Sequence, residues 1–182
     1  MKSIEEKIVL SKDDCNFLID YFERSLSRKY TKSSQYKKGG VHAIVDYSHI
    51  PKDFFEKLKV FNVIPFNFNF EIDDNQSLVI HKYEVGEYFE SHSDTSLSNY
   101  GAGNNYTRVK RIKTLLFQLS DENEYSGGDF IVDSVKINKK IGNCVSFDSK
   151  LFHEVTPIIS GIRYSATIWI EKENMILPRK FI

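Results

Sequence analysis

Ile112 to Asp148 reads IKTLLFQLSDENEYSGGDFIVDSVKINKKIGNCVSFD, and this stretch decides the fold. Its apolar residues come in short runs rich in β-branched and aromatic side chains: IKTLLFQLS, GGDFIVD, VKI and CVSFD. Glycines and Asn-Lys-Lys stand between the runs, residues that turn a chain rather than extend it. No helical period separates one run from the next, so there is no crossover helix of the kind parallel neighbours need. The segment predicts consecutive antiparallel strands.

The same texture begins upstream at Asn67, with NFNFEI and SLVIHKYEV, and ends with RYSATIWIE from Arg163. That makes six to eight strands. Before them lie two helical patterns. Ser11-Lys12-Asp13-Asp14 is a cap-like start with acids in the first turn, and Cys15, Leu18, Ile19, Phe22 and Leu26 follow as one apolar stripe. Pro51 opens PKDFFEKLKVF, with proline in the first turn of a second helix. The polar stretch from Tyr30 to Gly40 reads as a mobile loop, and the final MILPRKFI is too short to assign. Helices first and strands afterwards favour an antiparallel sandwich or barrel over a doubly wound α/β fold. The expectation is one mostly-β domain over 1–182, with helical N-terminal support in 1–65 and the strand-built core in 66–172.

Composition narrows the function. The 182 residues are 41% hydrophobic and 27% charged, with Lys+Arg and Asp+Glu equal at 25 each. Zero formal net charge removes the whole-chain argument for nucleic acid or an anionic membrane as main partner. In MKSIEEKIVL two glutamates stand where a secretory signal needs its apolar stretch, and no later run approaches the ~20 apolar residues of a membrane span. Cys15 and Cys144 are the only cysteines, and neither has a CxxC partner. Two free thiols in a reducing cytoplasm is the expected state.

The chemistry lies in His81–Ser96, HKYEVGEYFESHSDTS. His92 and Asp94 are two apart, so on a strand both project from one face. An imidazole and a carboxylate converging in this way make two legs of a facial metal site. LFHEVTPIISGIRYSATIWI proposes the third leg, His153, followed by Arg163. Two histidines and one carboxylate leave three positions of an octahedral ion open, the arrangement of non-haem Fe(II) oxygenases. Zinc suits the same residue types. Arg163 favours the oxygenase, because a guanidinium pointing inward from a strand is a costly unpaired charge unless an anion meets it. A dicarboxylate cosubstrate supplies that anion while chelating the metal at its other end.

Leu78 to Glu171 carries an ordered series: Tyr83-x-x-Gly86, Phe89, His92-x-Asp94, Arg111-x-x-Thr114, QLSDENEYSGGDF, His153-x-Val155-x-Pro157, Gly161-x-Arg163-Tyr164-Ser165 and Trp169. This series resembles the catalytic core of the Fe(II)/2-oxoglutarate dioxygenases. It is most similar to their prolyl 4-hydroxylase-like branch, which includes the short bacterial and viral PKHD-type hydroxylases. The resemblance implies a double-stranded β-helix, or jelly roll, with N-terminal helices against one sheet. It implies that His92, Asp94 and His153 bind Fe(II) and that Arg163 pairs with the distal carboxylate of 2-oxoglutarate. Tyr83 would hydrogen-bond the same cosubstrate, with Thr114 and Ser165 as further candidates for that pocket. Arg163 and Ser165 also share a strand face, and Trp169, of the same parity, is expected as inward core. Ascorbate is an implied requirement. No catalytic side chain is expected beyond the metal centre.

The remaining features have plainer readings. His42 and His49, around Asp46 in VHAIVDYSHI, are read as packing or surface residues, and His81 as a satisfied strand histidine. Gly127-Gly128 is a two-glycine turn entering a strand, and Gly86 a bulge or bend beside the site. SLSNYGAGNNYTRVKR reads as a long flexible loop able to close over a substrate, with Tyr100 and Tyr106 as stacking surfaces. Its basic exit is a solvated face, except that Arg111 is placed on the substrate side. The implied partners are 2-oxoglutarate, O2 and a protein or peptide substrate such as peptidyl proline. The alternatives are a small-molecule oxygenase, a non-catalytic jelly-roll binding module, and a zinc hydrolase, which leaves Arg163 unexplained.

Overall fold

Ser11 starts the first helix by a reciprocal pair of bonds. Its hydroxyl accepts the Asp14 N–H at 3.2 Å, and the Asp14 carboxylate accepts the Ser11 N–H at 2.7 Å. Cys15, Leu18 and Phe22 form the buried stripe of this helix, as their spacing predicts. The computed structural model describes residues 4–25, 29–30, 37–38, 40–46, 49–61, 77–95, 97–100 and 107–174. In chain order these form β1 (Glu5–Ile8), α1 (Lys12–Arg24), β2 (Lys29–Tyr30), β3 (Lys37–Lys38), β4 (Val41–Asp46) and α2 (Lys52–Leu58). The strands β5 (Ser77–Tyr83), β6 (Tyr88–His92), β7 (Leu97–Tyr100), β8 (Thr107–Gln118), β9 (Tyr125–Gly127) and β10 (Phe130–Val132) follow. The series ends with β11 (Val135–Lys136), β12 (Asn143–Asp148), β13 (His153–Val155), β14 (Ile158–Gly161) and β15 (Arg163–Asn174).

An eight-stranded sheet runs β1-β12-β8-β15-β5-β4-β2, with β7 added along β8. A five-stranded sheet runs β11-β10-β13-β6-β3, and β14 pairs with β9. Every pairing among the described residues is antiparallel. The alternation of side chains gives the large sheet two buried faces. On one face Ala43, Val45, Leu78, Ile80, Leu115, Phe117, Ala166 and Ile168 pack with Leu18 and Phe22 of α1 and Phe54 and Leu58 of α2. On the other, Tyr83, Leu116, Val145 and Phe147 meet Phe130, Val132 and Val155 of the small sheet. The molecule is therefore a mostly-β two-sheet jelly roll with its helices against the outer face of the larger sheet, the predicted architecture.

Three expectations need correction. Residues 1–65 were expected as helical support, yet they also hold β1, β2, β3 and β4. In VHAIVD, Ala43 and Val45 are buried and Ile44 is 43% exposed, a period of two that marks a strand. The stretch Tyr30–Gly40, read as a loop, contributes β3, which pairs with β6 through Lys37↔Phe89 and Lys38↔Tyr88. SLSNYGAGNNYTRVKR, also read as one loop, contains β7 and the first half of β8, joined by pairs from Leu97↔Lys110 to Tyr100↔Thr107. Tyr106, the strand NFNFEI and the terminal MILPRKFI lie outside the described residues. No helix among the described residues is long and apolar enough to cross a membrane. Cys15 and Cys144 are buried and free.

Candidate metal centre

His92 ends β6 and His153 begins β13, and antiparallel pairing sets the two residues opposite each other. Their ring centroids lie 4.3 Å apart. Each Nδ1 meets a carbonyl two residues back, Glu90 at 2.8 Å for His92 and Leu151 at 3.0 Å for His153. A carbonyl only accepts, so both Nδ1 atoms donate, and in the neutral ring each Nε2 keeps its lone pair. Phe89 stacks on His92 at 3.9 Å between centroids, while Phe147 and Phe130 meet His153 edge-on at 5.0 and 5.8 Å. Burial and the neighbouring His92 push the His153 pKa below the usual imidazole value, and Asp94 pulls the other way. The net result favours the neutral ring that a metal requires.

Asp94 follows two residues after β6, and its N–H donates to the Ser149 carbonyl at 2.9 Å. Its Oδ1 lies 3.9 Å from His92 Nε2 and its Oδ2 3.5 Å from His153 Nε2. One ligand atom from each of the three residues falls within 4.8 Å of the others. Among the described residues no lysine or arginine pairs with this buried carboxylate, so three donors converge with no competing cation. A divalent cation fits that donor set, and donor type alone suits iron and zinc equally.

Arg163 is fully buried on the inner face of β15. Nη1 donates to Ser165 Oγ and Nη2 to Gln118 Oε1, each at 3.0 Å. Its Nε and the Nε2 of Gln118 are buried with no partner among the described residues, and no carboxylate there pairs with the guanidinium. Tyr83 lies opposite Arg163 in the β15–β5 ladder, its ring centroid 5.6 Å from the guanidinium carbon. Burial raises the Tyr83 pKa to about 12, so it is a neutral hydroxyl. Tyr125 is buried beside the same charge, with its pKa raised by burial and lowered by Arg163. A buried cation with unfilled donors is the complement of an incoming carboxylate.

Arg163, Ser165, Tyr83 and Thr114 share the inner face of the larger sheet, while His92 and His153 belong to the smaller sheet. Thr114 differs in its detailed position: its hydroxyl donates to Asp94 Oδ2 at 2.7 Å and lies 3.0 Å from Ser149 Oγ. Trp169, expected as inward core, donates its indole N–H to the same Oδ2 at 2.9 Å. Arg111 lays its guanidinium carbon 3.9 Å from the Trp169 ring centroid. His49 lies 3.2 Å from the Tyr21 hydroxyl, and His42 is paired across the ladder with His81. Gln118 and Tyr125 were not anticipated. The signal for Gln118 was present: a lone amide inside the apolar run TLLFQL, at the parity of Thr114.

A family model described as the 2OG-Fe(II) oxygenase superfamily matches residues 78–171, more than half of the chain. The chain belongs to the 2OG-Fe(II) oxygenase superfamily. A PKHD-type hydroxylase of Acinetobacter baumannii is 31% identical to this chain over 97 residues, 51% of the chain and 42% of the relative. The matched region therefore spans about two fifths of the length of the curated relatives. A prolyl-4-hydroxylase of Pseudomonas putida superposes with a TM-score of 0.68 at 16% identity, covering 96% of this chain and 95% of that one. A prolyl hydroxylase of Trichoplax adhaerens, solved with a hypoxia inducible factor peptide fragment, gives 0.62 at 16% identity, covering 92% and 81%. At such identities the structures establish the fold that this chain shares.

Proposed function

We propose that this protein is an Fe(II)- and 2-oxoglutarate-dependent hydroxylase acting on a peptidyl residue such as proline. The observation that carries the reading is Arg163: a fully buried guanidinium on the same inner sheet face as Thr114 and Trp169, with an unfilled donor and no carboxylate partner among the described residues. An unpaired buried charge costs several kcal/mol, and a dicarboxylate cosubstrate removes that cost. Iron with 2-oxoglutarate and O2 would supply the oxidising power for C–H hydroxylation, with succinate and CO2 released.

The chain's own residues provide placement. His92, Asp94 and His153 would hold the ion on one side only, leaving the opposite positions to cosubstrate and O2. Arg163, with Ser165 and Gln118 fixing two of its N–H groups, would meet the distal carboxylate, and the Tyr83 hydroxyl would donate to it. Leu116, Val145, Phe130 and Phe147 are buried in one apolar cluster with Tyr83, and Phe130 and Phe147 pack against His153. Ascorbate as reductant and a cytoplasmic location belong to the same proposal. Two buried free thiols suit a reducing compartment. A peptide substrate is supported by the fold shared with the two prolyl hydroxylases, one of them holding a peptide.

The binding-module alternative is not favoured, because it gives no reason for three metal donors and an unpaired arginine to stand together. The test is incubation with Fe(II), 2-oxoglutarate, ascorbate and proline-rich peptides, followed by mass spectrometry. A mass gain of one oxygen atom at proline, with matching succinate, is the expected result. Succinate formed without any peptide oxidation would redirect the substrate to another class.

A further inference from the structure

Thr114 and Trp169 face each other across the β8–β15 ladder. Antiparallel neighbours in register place their side chains about 5 Å apart on one face, and here both converge on one atom, Asp94 Oδ2, at 2.7 and 2.9 Å. The other oxygen, Oδ1, receives no hydrogen bond from the described residues. Thr114 has one hydroxyl proton, and it is committed to Asp94. The 3.0 Å contact with Ser149 Oγ is then donated by Ser149, which is fully buried and also accepts the Asp94 N–H through its carbonyl. Arg111 lies over the indole, limiting its rotation. Turning the Asp94 carboxylate part-way about its last bond therefore moves Oδ2 off the Thr114 hydroxyl and the Trp169 indole N–H.

We propose that Thr114 and Trp169 are positioning residues that saturate Asp94 Oδ2 and hold the carboxylate to single-oxygen ligation through Oδ1. The inference rests on reading His92, Asp94 and His153 as a metal site. Its consequence is specific to a chelating cosubstrate. A carboxylate free to turn can offer both oxygens to the ion and occupy a coordination position that the chelate and O2 need. Two fixed donors on Oδ2 prevent that and orient the remaining lone pairs before the ion arrives.

The test uses cobalt(II) as a spectroscopic probe of the apoprotein, in the wild type, Thr114→Val, Thr114→Ser, Trp169→Phe and Asp94→Ala. Valine keeps the shape of threonine without the proton donor, and phenylalanine keeps an aromatic ring without the N–H. Thr114→Val and Trp169→Phe should each weaken cobalt binding about tenfold, the lower end of what lost outer-sphere bonds cost. Both should also change the visible d–d spectrum, while Thr114→Ser stays within about twofold of wild type. Circular dichroism checks the fold, and Trp169→Phe carries the test if Thr114→Val does not fold. Wild-type affinity and spectrum in Trp169→Phe, or a Thr114→Ser variant as weak as Thr114→Val, would overturn the inference while leaving the metal site standing. A wild-type protein that takes up no more cobalt than Asp94→Ala would overturn the metal reading, and this inference with it.

Discussion

Gly128 and Arg163 are built around each other. A Cβ on Gly128 would stand 3.0 Å from the Arg163 Cδ and 2.4 Å from the Ile158 Cδ1. Gly128 also has φ +59°, in the left-handed region that disfavours any side chain. The Gly127-Gly128 pair is thus more than a turn entering β10. It leaves the space along which the guanidinium reaches Ser165 and Gln118.

Gly128→Ala is expected to lower stability by about 2 kcal/mol, from backbone strain and the contact with Ile158 together. It should also raise the 2-oxoglutarate concentration needed for half-maximal turnover. Thermal unfolding and a succinate assay over a cosubstrate series check this. A destabilised variant with an unchanged cosubstrate requirement would show that the glycine serves the backbone alone.

Arg163→Ala removes a charge-assisted pair worth roughly 1.5–3 kcal/mol, which is about ten- to a hundredfold in cosubstrate affinity. The iron requirement should change far less, because Arg163 touches none of the three metal donors. Titrating each cofactor at saturation of the other separates the two. Equal losses in both would assign Arg163 a structural role.

Part of this site was legible in the sequence because strand parity is a strict rule, and it puts Arg163 and Ser165 on a common face of β15. The same rule does not place Asp94, because β6 ends at His92 and Asp94 lies two residues beyond it. The two histidines stand opposite each other only through sheet pairing, and the His153↔His92 register is not written in either segment. What spacing could not supply was the third dimension of hydrogen bonding. Trp169 had the right parity, but its indole N–H meets Asp94 only because β15 lies beside β8 and Asp94 folds over both. β1 and β7 escaped notice for a different reason. Each has four residues, too short a window for period two to stand out from loop composition.

Trp169 is the only tryptophan in the chain, and it donates to a proposed metal ligand. Indole fluorescence should therefore fall on addition of cobalt(II) and recover with a chelator. Asp94→Ala should abolish the response. An equal response in Asp94→Ala would place the bound cobalt elsewhere.

Acid stability should depend on Asp14. Burial alone would raise its carboxyl, but hydrogen bonds from Lys57 and Ser11 outweigh it and hold the pKa below the usual value. A depressed carboxyl contributes stability that is present above its unfolded pKa of about 3.9. That stability is lost as pH falls through the folded value. Asp14→Asn should cost about 1 kcal/mol at neutral pH, through the lost capping box and the ion pair with Lys57. It should also flatten the stability profile below about pH 4. Denaturant melts at stepped pH values check both effects, and an unchanged acid limb would contradict this account.

If His92, Asp94, His153 and Arg163 together hold Fe(II) and 2-oxoglutarate, anaerobic titration of the apoprotein with both, followed by visible absorption, should reveal it. A weak charge-transfer band that needs both components and is lost in His153→Ala is the expected result. A folded wild-type protein that shows no such band, or a band of equal strength in His153→Ala, would contradict it.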